Sequence, residues 1–204
     1  MTKVIQQIEI HPVVLRLKPV LHLTDDQLFE LCQLNRDWRI EYTDQGELIV
    51  MPPTGGETGD QNAEITRQLR GWAKGDETGI AFDSSTGFKL PNGATRSPDG
   101  AWVRRSRLAG LTRDQKQKFL PLCPEFVIEL RSPTDNLLAL QRKMQEYLDN
   151  GAQLGWLIDP LTRHVHIYLP QRPPEILEAP NTVSAEPLLP SFTLDLQTIW
   201  EPNL

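Results

Sequence analysis

The stretch Cys123-Pro124-Glu125-Phe126-Val127-Ile128-Glu129-Leu130-Arg131-Ser132-Pro133 decides the fold. It reads as a short apolar strand carrying two charges at positions two apart. Alternate residues of a strand point to one face, so Glu129 and Arg131 project together while Ile128 and Leu130 project oppositely. A strand this apolar belongs inside, where an ionised carboxylate is costly unless it is paired or coordinates a metal. Upstream, Ser97-Pro98-Asp99-Gly100-Ala101-Trp102-Val103 places a second carboxylate at the start of another apolar run. Brought onto adjacent strands, the two acids would suit a hard cation such as Mg2+.

Short strands are expected on either side, around 80–83, 88–90, 99–103, 126–131, 154–158 and 164–169. Pro133 stops the central one, and Thr134 or Asp135 can cap a helix over 136–149 that Asn150-Gly151 ends. Nearer the N-terminus, Thr24-Asp25-Asp26-Gln27 is a capping box opening a helix to about residue 35. Trp38, Ile40 and Tyr42 then alternate with Arg39 and Glu41, and Asp44-Gln45-Gly46 turns the chain back through 47–51, a β-hairpin. The segment 52–59 reads as a loop rather than a phosphate-cradling P-loop, because its glycines lack a following Lys-Ser/Thr. Helical spacing returns over 60–74, with Ile65, Leu69 and Trp72 as the apolar stripe and Glu64 beside it. Without an internal repeat or a convincing linker, this reads as one α/β domain over 24–170. A 1–23 extension precedes it, and a proline-rich 171–204 segment packs on the same domain.

With 204 residues, 39% of them hydrophobic, the chain can build a core without disulfides. Cys32 and Cys123 both sit in apolar patterns and read as buried reduced thiols. No signal pattern and no apolar run of membrane-spanning length is present, so a soluble cytoplasmic protein is the expectation. A net charge of −6 argues against a general nucleic-acid coating protein but not against an enzyme that meets phosphate locally. Arg104, Arg105, Arg107, Arg113, Lys116 and Lys118 lie in one stretch against the single acid Asp114. They read either as a solvated loop and helix or as a phosphate-contacting flank beside the carboxylates. His164 and His166 share one strand face, read as exposed, with no third ligand spaced for zinc. The five tryptophans are scattered and read as core rather than as base-stacking platforms.

In the helix after the Glu129 strand, Leu137, Leu140, Met144, Tyr147 and Leu148 form the buried stripe, and Lys143 lies at its shoulder. A lysine there can run its stem along the core and present its ammonium at the strand ends.

Together, Ser97-Pro98-Asp99, Pro124-Glu125-Phe126-Val127-Ile128-Glu129-Leu130-Arg131-Ser132-Pro133, Lys143-Met144-Gln145-Glu146-Tyr147, and Gly151 through Leu157-Ile158-Asp159-Pro160 resemble the Uma-two family. That family belongs to the PD-(D/E)xK, restriction-endonuclease-like superfamily of bacterial endonucleases. The resemblance extends upstream through Gly46-Glu47-Leu48, Thr54-Gly55-Gly56 and Asn62-Ala63-Glu64, covering most of 24–170. It implies a central mixed β-sheet flanked by helices, preceded by the N-terminal helix and hairpin, with Asp99 and Glu129 as ligands of a divalent metal, Mg2+ or Mn2+. Glu64 matches the acidic helix residue that often completes such sites. The superfamily pattern has lysine two residues after the second acid, where this chain has Arg131. Arginine stays protonated and cannot act as a base, though it can hold a phosphate oxygen in bidentate fashion. Lys143 matches a lysine migrated to the next helix.

The activity implied is hydrolysis of DNA phosphodiester bonds, with Lys143 orienting or helping to deprotonate water, for which its pKa would have to drop. Arg131, Arg104 and Arg105 are the candidate substrate contacts. Paired cuts in a duplex call for two active sites, hence the expectation of a homodimer. The competing readings are an internal salt bridge among Glu129, Arg131 and Lys143, a non-catalytic nuclease-like module binding nucleic acid or a protein, and a small-molecule phosphodiesterase.

Overall fold

In the computed structural model, which describes residues 12–202, the strand Phe126–Leu130 lies inside a six-stranded sheet and is buried at all five positions. In chain order the first elements are β1 (Val13–Arg16), α1 (Asp25–Leu34), β2 (Arg39–Tyr42), β3 (Glu47–Met51) and α2 (Gly56–Asp76). Then come β4 (Gly79–Asp83), β5 (Phe88–Lys89), β6 (Thr95–Arg96), β7 (Gly100–Arg104), α3 (Arg105–Ala109), α4 (Arg113–Gln117), β8 (Phe126–Leu130) and α5 (Leu137–Asp149). The chain closes with β9 (Leu154–Asp159), β10 (His164–Tyr168), β11 (Glu175–Glu178), β12 (Thr182–Ser184), β13 (Thr193–Asp195) and α6 (Gln197–Trp200).

The six-stranded sheet has the order β11-β10-β9-β8-β7-β4. Only β8 and β9 run parallel; the other neighbours are antiparallel, so the sheet is mixed. A parallel pair needs a crossover connection, and α5 supplies it. Strand alternation then sorts the core into two layers. Phe126, Ile128 and Leu130 join Trp102, Trp156 and Ile158 on the face covered by Ile65 and Leu69 of α2. Val127 joins Ala101, Val103 and Leu157 on the opposite face, covered by Met144 and Tyr147 of α5. Gly155 lets α5 approach closely, since a Cβ there would lie 2.4 Å from the Met144 terminal methyl. From residue 170 onward the chain adds Val183, Leu189, Phe192, Leu194 and Ile199 to the α2-side core.

A second sheet, β1-β3-β2-β6-β5, holds the hairpin. Its turn needs Gly46, whose φ of +82° a side chain would strain. Ile40, Tyr42 and Leu48 pack there against Leu28 of α1, whose capping box forms as its sequence indicates.

Four readings change, the first being that Cys32 is half-buried where a buried thiol is expected. Helix α2 begins at Gly56, inside the segment expected to be a loop, and its first turn packs through buried Thr58; tertiary contact overrides the weak helix propensity of glycine here. His166 is buried rather than exposed, and burial lowers its pKa. Trp38 is 45% exposed, outside the core. Among the described residues no helix is long and apolar enough to cross a membrane.

Candidate active site

Register brings the two acids together. The antiparallel pair β7–β8 aligns Ala101 with Val127 and Gly100 with Ile128. One step further sets Asp99 across from Glu129, and cross-strand neighbours on one face have Cβ atoms about 4.5–5.5 Å apart. Both acids fall on the α5 side of the sheet, because they alternate with Gly100 and Ile128. Asp99 is 4% and Glu129 1% exposed, yet both line a cleft of about 750 Å³. The hairpin residues Arg39 and Glu41 and the α5 residue Lys143 line it too.

A chain of alternating charges fills the base of the cleft. Asp99 accepts a hydrogen bond from Arg39 Nη1 at 2.7 Å on Oδ1 and one from the Leu130 backbone N–H at 2.9 Å on Oδ2. Lys143, at the shoulder of the α5 stripe, lies with Nζ 2.8 Å from Glu129 Oε1 and 2.8 Å from Glu41 Oε1. The Tyr147 hydroxyl donates to the same Glu129 oxygen at 2.9 Å. Glu41 also accepts the Ser97 N–H at 2.9 Å and Arg96 Nη1 at 3.1 Å, and Arg96 Nε continues to Glu146 at 2.6 Å.

The two acids that share the lysine are pushed in opposite directions. Burial raises the Glu129 carboxyl to about 7, with the neighbouring Asp99 and Glu41 charges adding to it against Lys143 and Arg39. Burial presses Glu41 the same way, but Lys143, Arg96 and Arg39 outweigh it and hold that carboxyl at about 2. Lys143 is pulled down by burial and raised more by Glu129 and Glu41, so its pKa lies above the ordinary value. It is therefore an ammonium here, not the depressed amine that a base would require.

The other residues singled out from sequence lie elsewhere. Glu64 projects from α2, which packs on the opposite face of the sheet; its carboxylate takes both Arg67 Nε and Nη2 at 2.6 Å and Gln68 at 2.9 Å. Arg131 reaches the fully buried Asp159 at 2.7 Å, so it belongs neither to a Glu129–Lys143 bridge nor to the cleft lining. Arg104 ends β7, five residues from Asp99 and so about 16 Å away at roughly 3.3 Å per residue. Its guanidinium lies over the Trp102 ring, and Arg105 donates to the Glu77 carbonyl at 2.7 Å. The basic stretch thus flanks the far end of the sheet. Sequence reasoning missed Arg39, Glu41, Arg96 and Glu146. In the sequence Arg39 and Glu41 stand out only for alternating with Ile40 and Tyr42 in a hairpin strand, which gives no sign that Glu41 is only 2% exposed.

Two of the cleft's carboxylates, Asp99 and Glu129, could hold a hard divalent cation. Among the described residues no three His, Cys, Asp or Glu side chains cluster around one point. Magnesium, however, is commonly held by one or two carboxylates with water and substrate phosphate completing its shell. Asp99 and Glu129 supply that number on one face, beside an open cleft.

A mixed sheet whose adjacent strands bring two acids, and the following helix a lysine, to one cleft is a restriction-endonuclease-like architecture. The chain belongs to the Uma2 family, described as "Putative restriction endonuclease", whose profile matches residues 25–197. Its fold is similar to that of a solved structure described as a "putative nuclease belonging to DUF820" from Anabaena variabilis. The TM-score is 0.73 and the identity 21%, over 88% of this chain and 98% of that one. No curated protein matches.

Proposed function

We propose that the protein is a divalent-metal-dependent endonuclease that hydrolyses phosphodiester bonds of DNA, with Asp99, Glu129 and Lys143 as its working residues. The observation that carries this reading is the meeting of two buried carboxylates and a buried ammonium at the base of one open cleft. Family membership supports the reaction class. Asp99 and Glu129 would hold Mg2+ or Mn2+, which when bound supplies Lewis-acid polarisation of the phosphate. Charge supports the need for such a cation. The network contains four acids (Glu41, Asp99, Glu129, Glu146) and three cations (Arg39, Arg96, Lys143), so whenever Glu129, raised to about 7, is ionised, the acids exceed the cations by one against an anionic substrate. Lys143 stays charged, and its fixed ammonium can stabilise negative charge growing on the phosphoryl oxygens. Glu41 and Tyr147 set the position of that ammonium and of the Glu129 carboxylate. Mg2+- or Mn2+-dependent cleavage of plasmid or linear DNA, lost in Asp99→Ala and Glu129→Ala proteins that still fold, is the test. A wild-type protein that cleaves no DNA or RNA and shows no calorimetric binding of either metal would overturn the reading.

One observation favours a second reading. Arg39, Lys143 and Tyr147 already satisfy the two acids from within the chain, as in a non-catalytic nuclease-like module. Such a module would bind nucleic acid or a protein partner with an affinity indifferent to Asp99→Ala.

A further inference from the structure

Three arginines line the cleft, and Arg142 sits at its α5 rim, donating to the Leu138 carbonyl at 3.2 Å; the two that pair with acids at its base are held very differently. Arg96 is 10% exposed and pinned between Glu41 and Glu146. Arg39 is 31% exposed, and among the described residues its side chain makes a single ion pair, to Asp99 Oδ1 at 2.7 Å. That pair crosses from β2 of the five-stranded sheet to the start of β7 in the six-stranded one, so it is not imposed by any strand register. The guanidinium also feels the Glu129 and Glu41 carboxylates. It is therefore a permanent cation resting on the oxygen that a divalent ion would need, in a low-dielectric pocket where like charges repel strongly.

Resting on the metal reading above, we propose that Arg39 is a resident counter-ion that competes with the divalent cation for Asp99 and, once displaced, becomes the phosphate-binding residue of the cleft. Deprotonation cannot release a guanidinium, so release must be a swing of the side chain. The side chain is long and lines the cleft, and among the described residues Asp99 is its only direct ion-pair partner, Glu41 and Glu129 attracting it at longer range. Asp99 retains its Leu130 N–H bond throughout, which keeps one oxygen fixed while the other changes partner. The freed fork of donors would match phosphate oxygens in bidentate fashion. This assigns to Arg39 the substrate contact that sequence reasoning placed on Arg131, which Asp159 occupies instead. The exchange has a functional consequence: metal and substrate binding become coupled, because the ion frees the group that grips the phosphate.

The test measures Mn2+ binding by calorimetry in the wild-type protein and in Arg39→Met, which keeps the apolar stem without the charge. Removing the competitor should tighten Mn2+ binding by about ten-fold, inside the usual range for two coupled ligands. The same substitution should lower the slope of log affinity for duplex DNA against log salt by about one, the signature of one lost phosphate contact. Independently of Arg39→Met, the Arg39 Nε–H resonance should move on adding Mg2+ to the wild-type protein and stay put on adding it to Asp99→Asn. Equal Mn2+ affinity in wild type and Arg39→Met would overturn the counter-ion exchange while leaving the metal site standing. Absence of Mn2+ binding in both would overturn the metal site and this inference together. Should Arg39→Met fail to fold, the resonance decides, and an unmoved signal sinks the exchange.

Discussion

The α5 side of β8 carries a buried carboxylate near each end, and the two have opposite surroundings. Glu125 and Glu129 lie four residues apart on the same face and are each almost fully buried. Glu129 meets a second acid, one lysine and an open cleft. Glu125 meets Arg107 at 3.3 Å, Arg104 at 3.9 Å and the Arg104 N–H at 3.3 Å. Arg107 is in turn anchored on the Cys123 carbonyl at 2.7 Å. Glu125 is therefore fully paired within the chain, and its end calls for no cation from outside. At the other end acids outnumber cations by one whenever Glu129 is ionised, so an external cation improves the balance. A buried, paired acid is thus weak evidence for a site by itself; convergence with a second acid and access to solvent carry the argument.

The sharpest way to break this contrast is to remove acids from both ends. Asp99→Ala or Glu129→Ala should lower Mg2+-dependent cleavage by about a thousand-fold, as several kcal/mol of metal assistance implies. The specific activity of folded Glu125→Ala should not change; a loss there would erase the distinction between the ends. Replacing Lys143 comes next. Lys143→Met should cost about a hundred-fold in rate, while Lys143→Arg should recover part of it, since the proposed role needs charge and not proton removal. Recovery of nothing by arginine would point back to a base.

Stability should show the reverse pattern. Glu125→Ala empties a buried position but leaves two arginines that are 44% and 40% exposed and can turn to solvent, so it should destabilise by about 1–2 kcal/mol in denaturant melts. Glu41 gives a pH signature. Its carboxyl is held at about 2 against an ordinary 4.5, so its contribution to stability is full above the ordinary value and is lost as pH falls through the lower one. Acid unfolding of Glu41→Gln should therefore be shallower between those two limits than that of the wild type. The smallest effect belongs to the basic stretch. Arg105→Ala should change stability by within about 0.5 kcal/mol and leave the salt dependence of DNA binding unaltered. A clear drop in DNA affinity would restore the far end as a substrate flank.

Much of the architecture was legible because it depends on local periodicity. Phe126 to Leu130 forms the central strand, the helix over 136–149 appears as Leu137–Asp149, and the Gly46 hairpin closes where its turn residues indicate. Failures occur where a residue's surroundings come from distant chain. Arg39 and Glu41 are legible only as the alternate residues of a hairpin strand, and it is contact with the α5 residue Lys143 and the Arg96–Ser97 segment that buries Glu41. Glu64 stands next to a correct apolar stripe, yet the stripe places α2 on the face away from the acids. Arg131 alternates with Glu129 correctly, but Asp159 on the neighbouring strand captures its guanidinium.

The chain's own order of residues determined the apolar stripes of α1, α2 and α5, the capped start of α1, and that Asp99, Glu129 and Lys143 stand at strand and helix positions able to converge. Those properties follow from the two- and 3.6-residue repeats of the backbone. Tertiary structure alone decided who neutralises whom: Glu41 and Glu129 sharing one ammonium, Arg39 on Asp99, Arg131 on Asp159. Ion pairing depends on distances of a few ångströms between segments as many as about a hundred residues apart, and no local repeat encodes how two sheets are set against each other.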